Sequence, residues 1–134
     1  MSQINYIDGT LYDVIERSAI KEPNKIAYEF MGKKTTYAKF LKDINIAAKS
    51  LTKLGVKEDD IVCIAMPNVP QAITMFYAVN KIGAICNMIH PLSSEKEMLS
   101  FLNSSLYKTY NLKNSKSDNV KQRARNSCFF HIIW

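Results

Sequence analysis

Glycine is scarce in this sequence. The 134 residues contain four, Gly9, Gly32, Gly55 and Gly83, each more than twenty positions from the next. A phosphate-cradling loop needs clustered glycines so that the backbone can wrap an anion, and neither GxGxxG nor GxxxxGK[ST] is present. Cysteine is also sparse, with three residues and no paired spacing. That excludes a disulfide framework and points to a reducing, cytoplasmic setting. Two histidines and no CxxC leave no zinc-ligand pattern. No uninterrupted apolar run exceeds seven residues, far below the ~20 that span a bilayer. Met1-Ser2-Gln3-Ile4-Asn5 has neither a basic n-region nor an apolar h-region, so no signal peptide is expected.

What is present suits one ordinary globular domain. Hydrophobic residues make up 47% and charged residues 22%, which excludes a mostly disordered or collagen-like chain. A chain of this size buries roughly two-thirds of its unfolded surface, enough for a real core. The net charge of +6 is unevenly placed: residues 106–134 hold six basic residues and one acidic, Asp118, while the preceding residues are nearly balanced. The charge and composition therefore set a boundary near Ser104-Ser105, between a body at 8–105 and a basic tail at 106–134.

Local signals organise the body. Thr10 with Asp13 three residues on reads as a capping box, followed by Leu11, Val14, Ile15 and Ala19 at helical spacing until Pro23. Ile26, Tyr28 and Phe30 alternate with their neighbours at period two, which predicts a strand. Gly32-Lys33-Lys34 turns the chain and Thr35-Thr36-Tyr37 returns it, predicting a short hairpin. Thr36 caps a long helix whose stripe of Tyr37, Phe40, Leu41, Ile44, Ala48 and Leu51 lies opposite Lys39, Lys42, Asp43 and Lys49. Gly55 marks its end. The apolar run Ile61 to Met66 reads as a strand buried on both faces, the pattern of a parallel sheet. Pro70 opens the next helix, mostly buried and ending at Gly83. Ala84 to Ile89 is a second apolar strand, and Ser94 with Glu97 is a capping box for a helix carrying Met98, Leu99 and Leu102. The fold class is α/β, with parallel strands flanked by helices and a short hairpin.

Several segments in one order carry a resemblance. Pro23-Asn24-Lys25-Ile26-Ala27-Tyr28, Thr36-Tyr37 opening a helix, and Leu54-Gly55-Val56-Lys57-Glu58-Asp59-Asp60-Ile61-Val62 come first. Met66-Pro67-Asn68, Ala78-Val79-Asn80-Lys81-Ile82-Gly83-Ala84 and His90-Pro91-Leu92 follow. Together they resemble the opening of the adenylate-forming (AMP-binding) acyl-CoA synthetases, over about residues 8–104. One departure is Asp59, where that family usually has glycine. The resemblance implies a partial N-terminal subdomain of the acyl-CoA synthetase fold. It also implies a family that joins a carboxylic or fatty acid to ATP, forming an acyl-adenylate and pyrophosphate before CoA displaces AMP. Such chemistry needs backbone N–H donors, Mg²⁺ and cationic side chains around the phosphates. The family's Ser/Thr/Gly-rich phosphate loop, acidic metal-binding segment and C-terminal lysine have no counterpart in this sequence. ATP, Mg²⁺ and CoA are thus expected for full-length members, none of them for this chain, which should be a catalytically inert fragment. No catalytic or metal-binding residue is assigned, and the cofactor-binding residues are left unknown.

Individual residues have plain readings beside the functional ones. His90 lies just beyond an apolar strand, where ligands of open α/β sheets gather, yet without partners it is read as shaping the turn before Pro91. His131 is given no role. Cys63 and Cys86, inside apolar strands, are read as small core residues rather than nucleophiles. Glu58-Asp59-Asp60 is read as a solvated turn rather than a Mg²⁺ site. Met75, Phe76 and Tyr77 are read as core, and Asn68 as the cap of the helix that follows.

In the tail, Lys, Asn and Ser dominate residues 108–127 without helical or strand period, and the chain closes on the apolar cluster Cys128 to Trp134. A reading-frame change or degraded gene is the expectation there, with a natural disordered tail as the alternative. Six basic residues near Tyr107, Tyr110 and Phe129 raise nucleic-acid binding, but a loose charged run is usually a solvated segment, and no specific nucleic acid is expected. The competing functions are an incomplete AMP-forming carboxylate–CoA ligase, a non-catalytic α/β interaction module, and a basic-tailed nucleic-acid binder. An uncovered sheet predicts exposed apolar surface and poor solubility for the isolated chain.

Overall fold

The computed structural model describes residues 9–112 and 129–130. Its first helix, α1 (Leu11–Lys21), starts as the local sequence demands: the Thr10 hydroxyl accepts from the Asp13 N–H and the Asp13 carboxylate accepts from the Thr10 N–H at 2.6 Å. These two bonds satisfy helix-end donors that would otherwise be orphaned. Strands β1 (Ile26–Phe30) and β2 (Lys33–Thr36) then pair antiparallel, with Phe30 opposite Lys33. The turn is therefore the two-residue loop Met31-Gly32, with φ of 50° and 78°. Positive φ at both positions matches the twist of the flanking strands. Lys33 and Lys34, expected in the turn, belong to β2, because left-handed geometry closes the chain one residue pair earlier.

The expected alternation in β1 is also corrected. Ala27 and Tyr28 both pack on the core, whereas Ile26 and Phe30 are exposed. The register shifts between Ile26 and Tyr28, and such a bulge turns successive side chains out of strict alternation.

Thr36 caps α2 (Tyr37–Lys53) through its hydroxyl and the Lys39 N–H. Phe40, Ile44, Ala48 and Leu51 of the expected stripe are buried. Helices α2 and α3 (Pro70–Ile82) end in the same way. The Gly55 N–H reaches Thr52 O and the Val56 N–H reaches Leu51 O; the Gly83 N–H reaches Asn80 O and the Ala84 N–H reaches Val79 O. Both glycines are left-handed, as this paired C-terminal motif requires. A Cβ at Gly83 would also lie 3.1 Å from Glu58 Cγ.

Between these helices, β3 (Ile61–Ile64) is buried along its whole length. It pairs in parallel with β4 (Ile85–Met88), Ile61 opposite Ile85 through Ile64 opposite Met88. On its other side it pairs in parallel with β5 (Phe129–Phe130). The α/β architecture with parallel strands and a separate hairpin is as expected. The main core joins Tyr12 of α1, Phe40 and Ile44 of α2, Ala78 and Val79 of α3, and Val62 and Ile64 of β3. A smaller cluster of Ile61, Cys63 and Ile89 on the opposite sheet face is met by Met98 of α4 (Glu95–Leu112). The sheet thus lies between two helical layers of unequal depth.

Two expectations about burial are modified. Helix α3 is buried at Ala72, Ala78 and Val79, but Ile73 is 45% exposed. Strand β4 carries an apolar sequence, yet Ile85 and Met88 are exposed. Helix α4 is capped by Ser94 and Glu97 as expected, with the Ser94 N–H donating to the Glu97 carboxylate at 2.8 Å, and Leu99 is exposed. It runs across Ser104-Ser105 to Leu112, and Phe129 lies in β5. The Leu102 side chain, residues 113–128 with most of the basic tail, and His131 lie outside the described residues.

Candidate functional site

Because β3 and β4 run in parallel, their carboxyl ends lie at one edge of the sheet, the usual ligand edge of an open α/β fold. The Ile89 N–H extends the ladder to Ile64 O at 3.0 Å, and each strand then leads to a proline, Pro67 or Pro91. His90 is exposed there. Its Nδ1 accepts from the Leu92 N–H at 3.2 Å and its carbonyl accepts from the Ser93 N–H at 3.0 Å. That geometry supports the turn-shaping reading of His90.

Asn68 does not cap α3. The N-cap is Val69, which makes no side-chain capping bond, and Pro70 occupies the first turn. Proline's fixed φ suits the first helical position, where its missing N–H would have had no partner within the helix. The Val69 carbonyl meanwhile takes the Ala72 N–H at 3.0 Å.

The acidic triplet lies at the other end of the strands. The Asp60 carboxylate accepts from the Lys57 N–H at 2.8 Å, and its carbonyl accepts from the Ile85 N–H at 2.7 Å. The Asp59 N–H donates to Gly83 O at 3.0 Å. Asp59 has φ of 66°, a left-handed conformation that glycine adopts without penalty and aspartate tolerates. This explains why Asp59 departs from the glycine of the pattern without disturbing the turn. Among the described residues, no group of three or more His, Cys, Asp or Glu side chains could hold a metal ion.

The cysteines behave as core residues. Cys63 is buried and its Sγ lies 3.7 Å from Asn87 Nδ2. Burial pushes the Cys86 thiol up to about 11, the opposite of what a nucleophile needs. Met75, Phe76 and Tyr77 pack on the main core, with the Tyr77 ring edge-on to Phe40 at 5.7 Å and to Phe76 at 5.3 Å.

Two features escape sequence patterns. The first is a polar tie among three helices. The Lys81 ammonium donates to the Tyr12 hydroxyl at 2.8 Å and to Asn45 Oδ1, and sits 4.5 Å from the Tyr12 ring centre. The Tyr12 hydroxyl donates to Glu16 at 2.9 Å, and its N–H donates to Asn80 Oδ1 at 2.8 Å. The second is a cavity of about 470 Å³ between the hairpin, α2 and the first turns of α3. Tyr28 and Phe30 form its hairpin wall and Met66 and Met75 its floor, while Lys39, Asp43 and Ala47 line one face of α2. Lys39 and Asp43, placed by periodicity on the solvent side, pair at 2.7 Å on its rim. The partners that join the three helices stand 36 to 69 residues apart, and the cavity likewise draws on separate elements, so neither feature has a local signal.

The described residues do not fit a magnesium-bound triphosphate. Gly9 precedes α1, Gly32 makes the hairpin, and Gly55 and Gly83 end helices, so each is committed to a turn and none joins another in a phosphate nest. The start of α3 adds little, given Pro70 and the occupied Ala72 N–H.

Comparison with known proteins now bears on this geometry. The arrangement is that of the N-terminal subdomain of adenylate-forming enzymes. It superposes on the N-terminal subdomain of NpsA from Klebsiella oxytoca in complex with anthranilyl-AMSN at a TM-score of 0.70, with 23% identity, covering 72% of this chain and 25% of that one. A similar match, TM-score 0.68 at 23% identity over 73% of this chain and 19% of the other, is to the anthranilate CoA ligase AuaEII in complex with anthranoyl-AMP. The family model for AMP-binding enzymes matches residues 15–128, and the chain belongs to that family. In sequence it is 39% identical over 93 residues to acetyl-coenzyme A synthetase 1 of Candida albicans, covering 63% of this chain and 14% of that protein. It is 35% identical over 89 residues to a long-chain-fatty-acid–CoA ligase of Bacillus subtilis, covering 66% of this chain and 16% of that one. The chain thus spans about a seventh of the length of the curated relatives it matches.

Proposed function

We propose that residues 8–105 are the opening α/β unit of an AMP-forming carboxylate–CoA ligase, and that 106–134 are a separate basic segment. The full reaction would take a carboxylic or fatty acid, ATP, Mg²⁺ and CoA in the cytoplasm. The observation that carries the reading is the parallel β3–α3–β4 unit in a chain of the AMP-binding family. Alone, this chain is proposed not to adenylate a carboxylate, because its glycines are spent on turns and caps and the described residues offer no triphosphate cradle. Its contribution is structural: β3, fixed in the main core, holds the sheet edge at which Asn68 and His90 stand.

Carboxylate-dependent ATP–pyrophosphate exchange by the purified chain, with acetate and with a long-chain fatty acid, tests this. No exchange above the no-carboxylate background is expected. Robust exchange would overturn the claim that the chain lacks the cradle.

A further inference from the structure

We propose that the edge of β3 opposite β4 is a strand-acceptor site for an uncharged, β-prone peptide segment in parallel orientation, and that its occupant is the closing segment of the same chain, at Phe129-Phe130. The register of the backbone carries this, independently of the ligase reading. The Ile85 N–H donates to Asp60 O at 2.7 Å and the Ile89 N–H donates to Ile64 O at 3.0 Å. Even-numbered residues along β3 therefore turn their peptide groups to β4. Peptide groups alternate along a strand, so Ile61 and Cys63 turn theirs to the opposite edge. Both residues are buried, and buried backbone donors and acceptors need partners. Among the described residues, β5 is the strand that meets this edge. Val62 stands opposite Phe129 and Cys63 opposite Phe130. In that parallel register the N–H and carbonyl of Phe129 face Ile61 and Cys63, while the N–H of Phe130 points away from β3.

The closing sequence suits the site. Cys128 to Trp134 contains no Lys, Arg, Asp, Glu, Gly or Pro, and aromatic and β-branched residues, the best strand formers, dominate it. A segment of that composition is an aggregation hazard when unpaired, and so is an open strand edge. Docking one on the other removes both hazards within a single molecule. A parallel strand needs a long return connection. Residues 113–128, between α4 and β5, span at most about 55 Å when extended. The 18 residues of α4 measure about 27 Å, so the chain has the reach to return the full length of that helix and enter β5 in the direction of β3.

Residue-resolved amide exchange on the full chain, with mass in solution read by light scattering, tests this. The Cys63 N–H should be protected to the same order as the N–H groups of Val62 and Ile64, which face β4. Phe129→Pro deletes the donor that faces β3. It should speed exchange at Cys63 about tenfold, the factor carried by one backbone hydrogen bond, and leave Val62 and Ile64 unchanged. Phe130→Pro deletes an N–H that points away from β3, a position where an edge strand tolerates proline, and should leave all three amides as they are. The two variants place the same residue one position apart, so a general effect of proline on folding would move both alike. Equal exchange at Cys63 in the two variants, an unprotected Cys63 in the unaltered chain, or loosening of Val62 and Ile64 together with Cys63 would overturn the proposal. Protection of Cys63 that appears only as the mass rises to a dimer would assign the strand to a second copy and overturn its assignment to the same chain. ATP–pyrophosphate exchange is independent of each of these outcomes.

Discussion

On one face of the parallel sheet, Val62 and Ile64 of β3 pack into a cluster with Tyr12, Phe40, Ile44, Ala78 and Val79, drawn from three helices. On the other face, Ile61, Cys63 and Ile89 form a cluster of three, met by Ala65 and Met98. The first face is tied further by the Lys81–Tyr12–Asn45 bonds and by the edge-to-face rings of Tyr28, Phe40 and Tyr77. Around the second, Ile85, Leu99 and Phe101 remain exposed. The same four-residue strand is therefore sealed on one side and thinly covered on the other. Burial of apolar area is the main stabilising contribution, so the helical face should carry most of the stability and the α4 face should open first.

The largest expected effect tests that contrast directly. Ile44 is fully buried at the centre of the larger cluster, and Ile44→Ala should cost about 3–4 kcal/mol in denaturant unfolding. Ile89→Ala, in the small cluster, should cost about 2 kcal/mol. Equal losses would mean that the two faces are equally consolidated. A matched pair of caps sharpens the comparison at smaller scale. Thr10→Ala removes the cap of α1, which packs into the main core, and should lower global stability by about 1 kcal/mol. Ser94→Ala removes the same device from α4. It should mainly speed amide exchange in the first turn of α4, with little change in the global midpoint.

The smallest effect is the pH dependence of those two caps. Bonds from the Thr10 N–H and hydroxyl group hold the Asp13 carboxyl below its ordinary value of 3.8, and the Ser94 N–H and hydroxyl hold Glu97 below 4.5. Glu22 is lowered in the same sense by Lys25. A depressed carboxylate binds fewer protons folded than unfolded, so its contribution is complete above the ordinary value and is lost as pH falls through the folded one. Melts between neutral pH and pH 3 should show stability declining through the acid range. In Glu97→Gln the part of that decline reported by α4 should disappear, while the part reported by α1 should remain. A decline unchanged in both helices would remove Glu97 from the account.

Caps, turns and helix stripes were legible because each is written within four residues. Thr10 with Asp13, Thr36 with Lys39, Ser94 with Glu97, and Gly55 and Gly83 just past their helices all stand where local chemistry puts them. The exceptions have local causes too. Met31-Gly32 closed the hairpin early, and α3 begins at Pro70, so Val69 rather than Asn68 stands at its cap position. The family was legible because several short segments shared one order. The ordinary roles of His90, Cys86 and the acidic triplet followed from the partners that those residue types find nearby.

What residue order alone determined, then, is the succession of elements and the pairing of apolar stretches with sheet and helix, because propensity, capping and period act between near neighbours. Tertiary packing decided the rest. Strands β3 and β4 are both mainly apolar in sequence, β4 carrying Asn87, yet the first is sealed and the second lies open at its apolar ends, Ile85 and Met88, since burial depends on what covers a strand. The three-helix tie at Tyr12 and the cavity beside Thr35 join residues far apart in the chain. Such sites exist only once the helices and hairpin are brought together by the shared core.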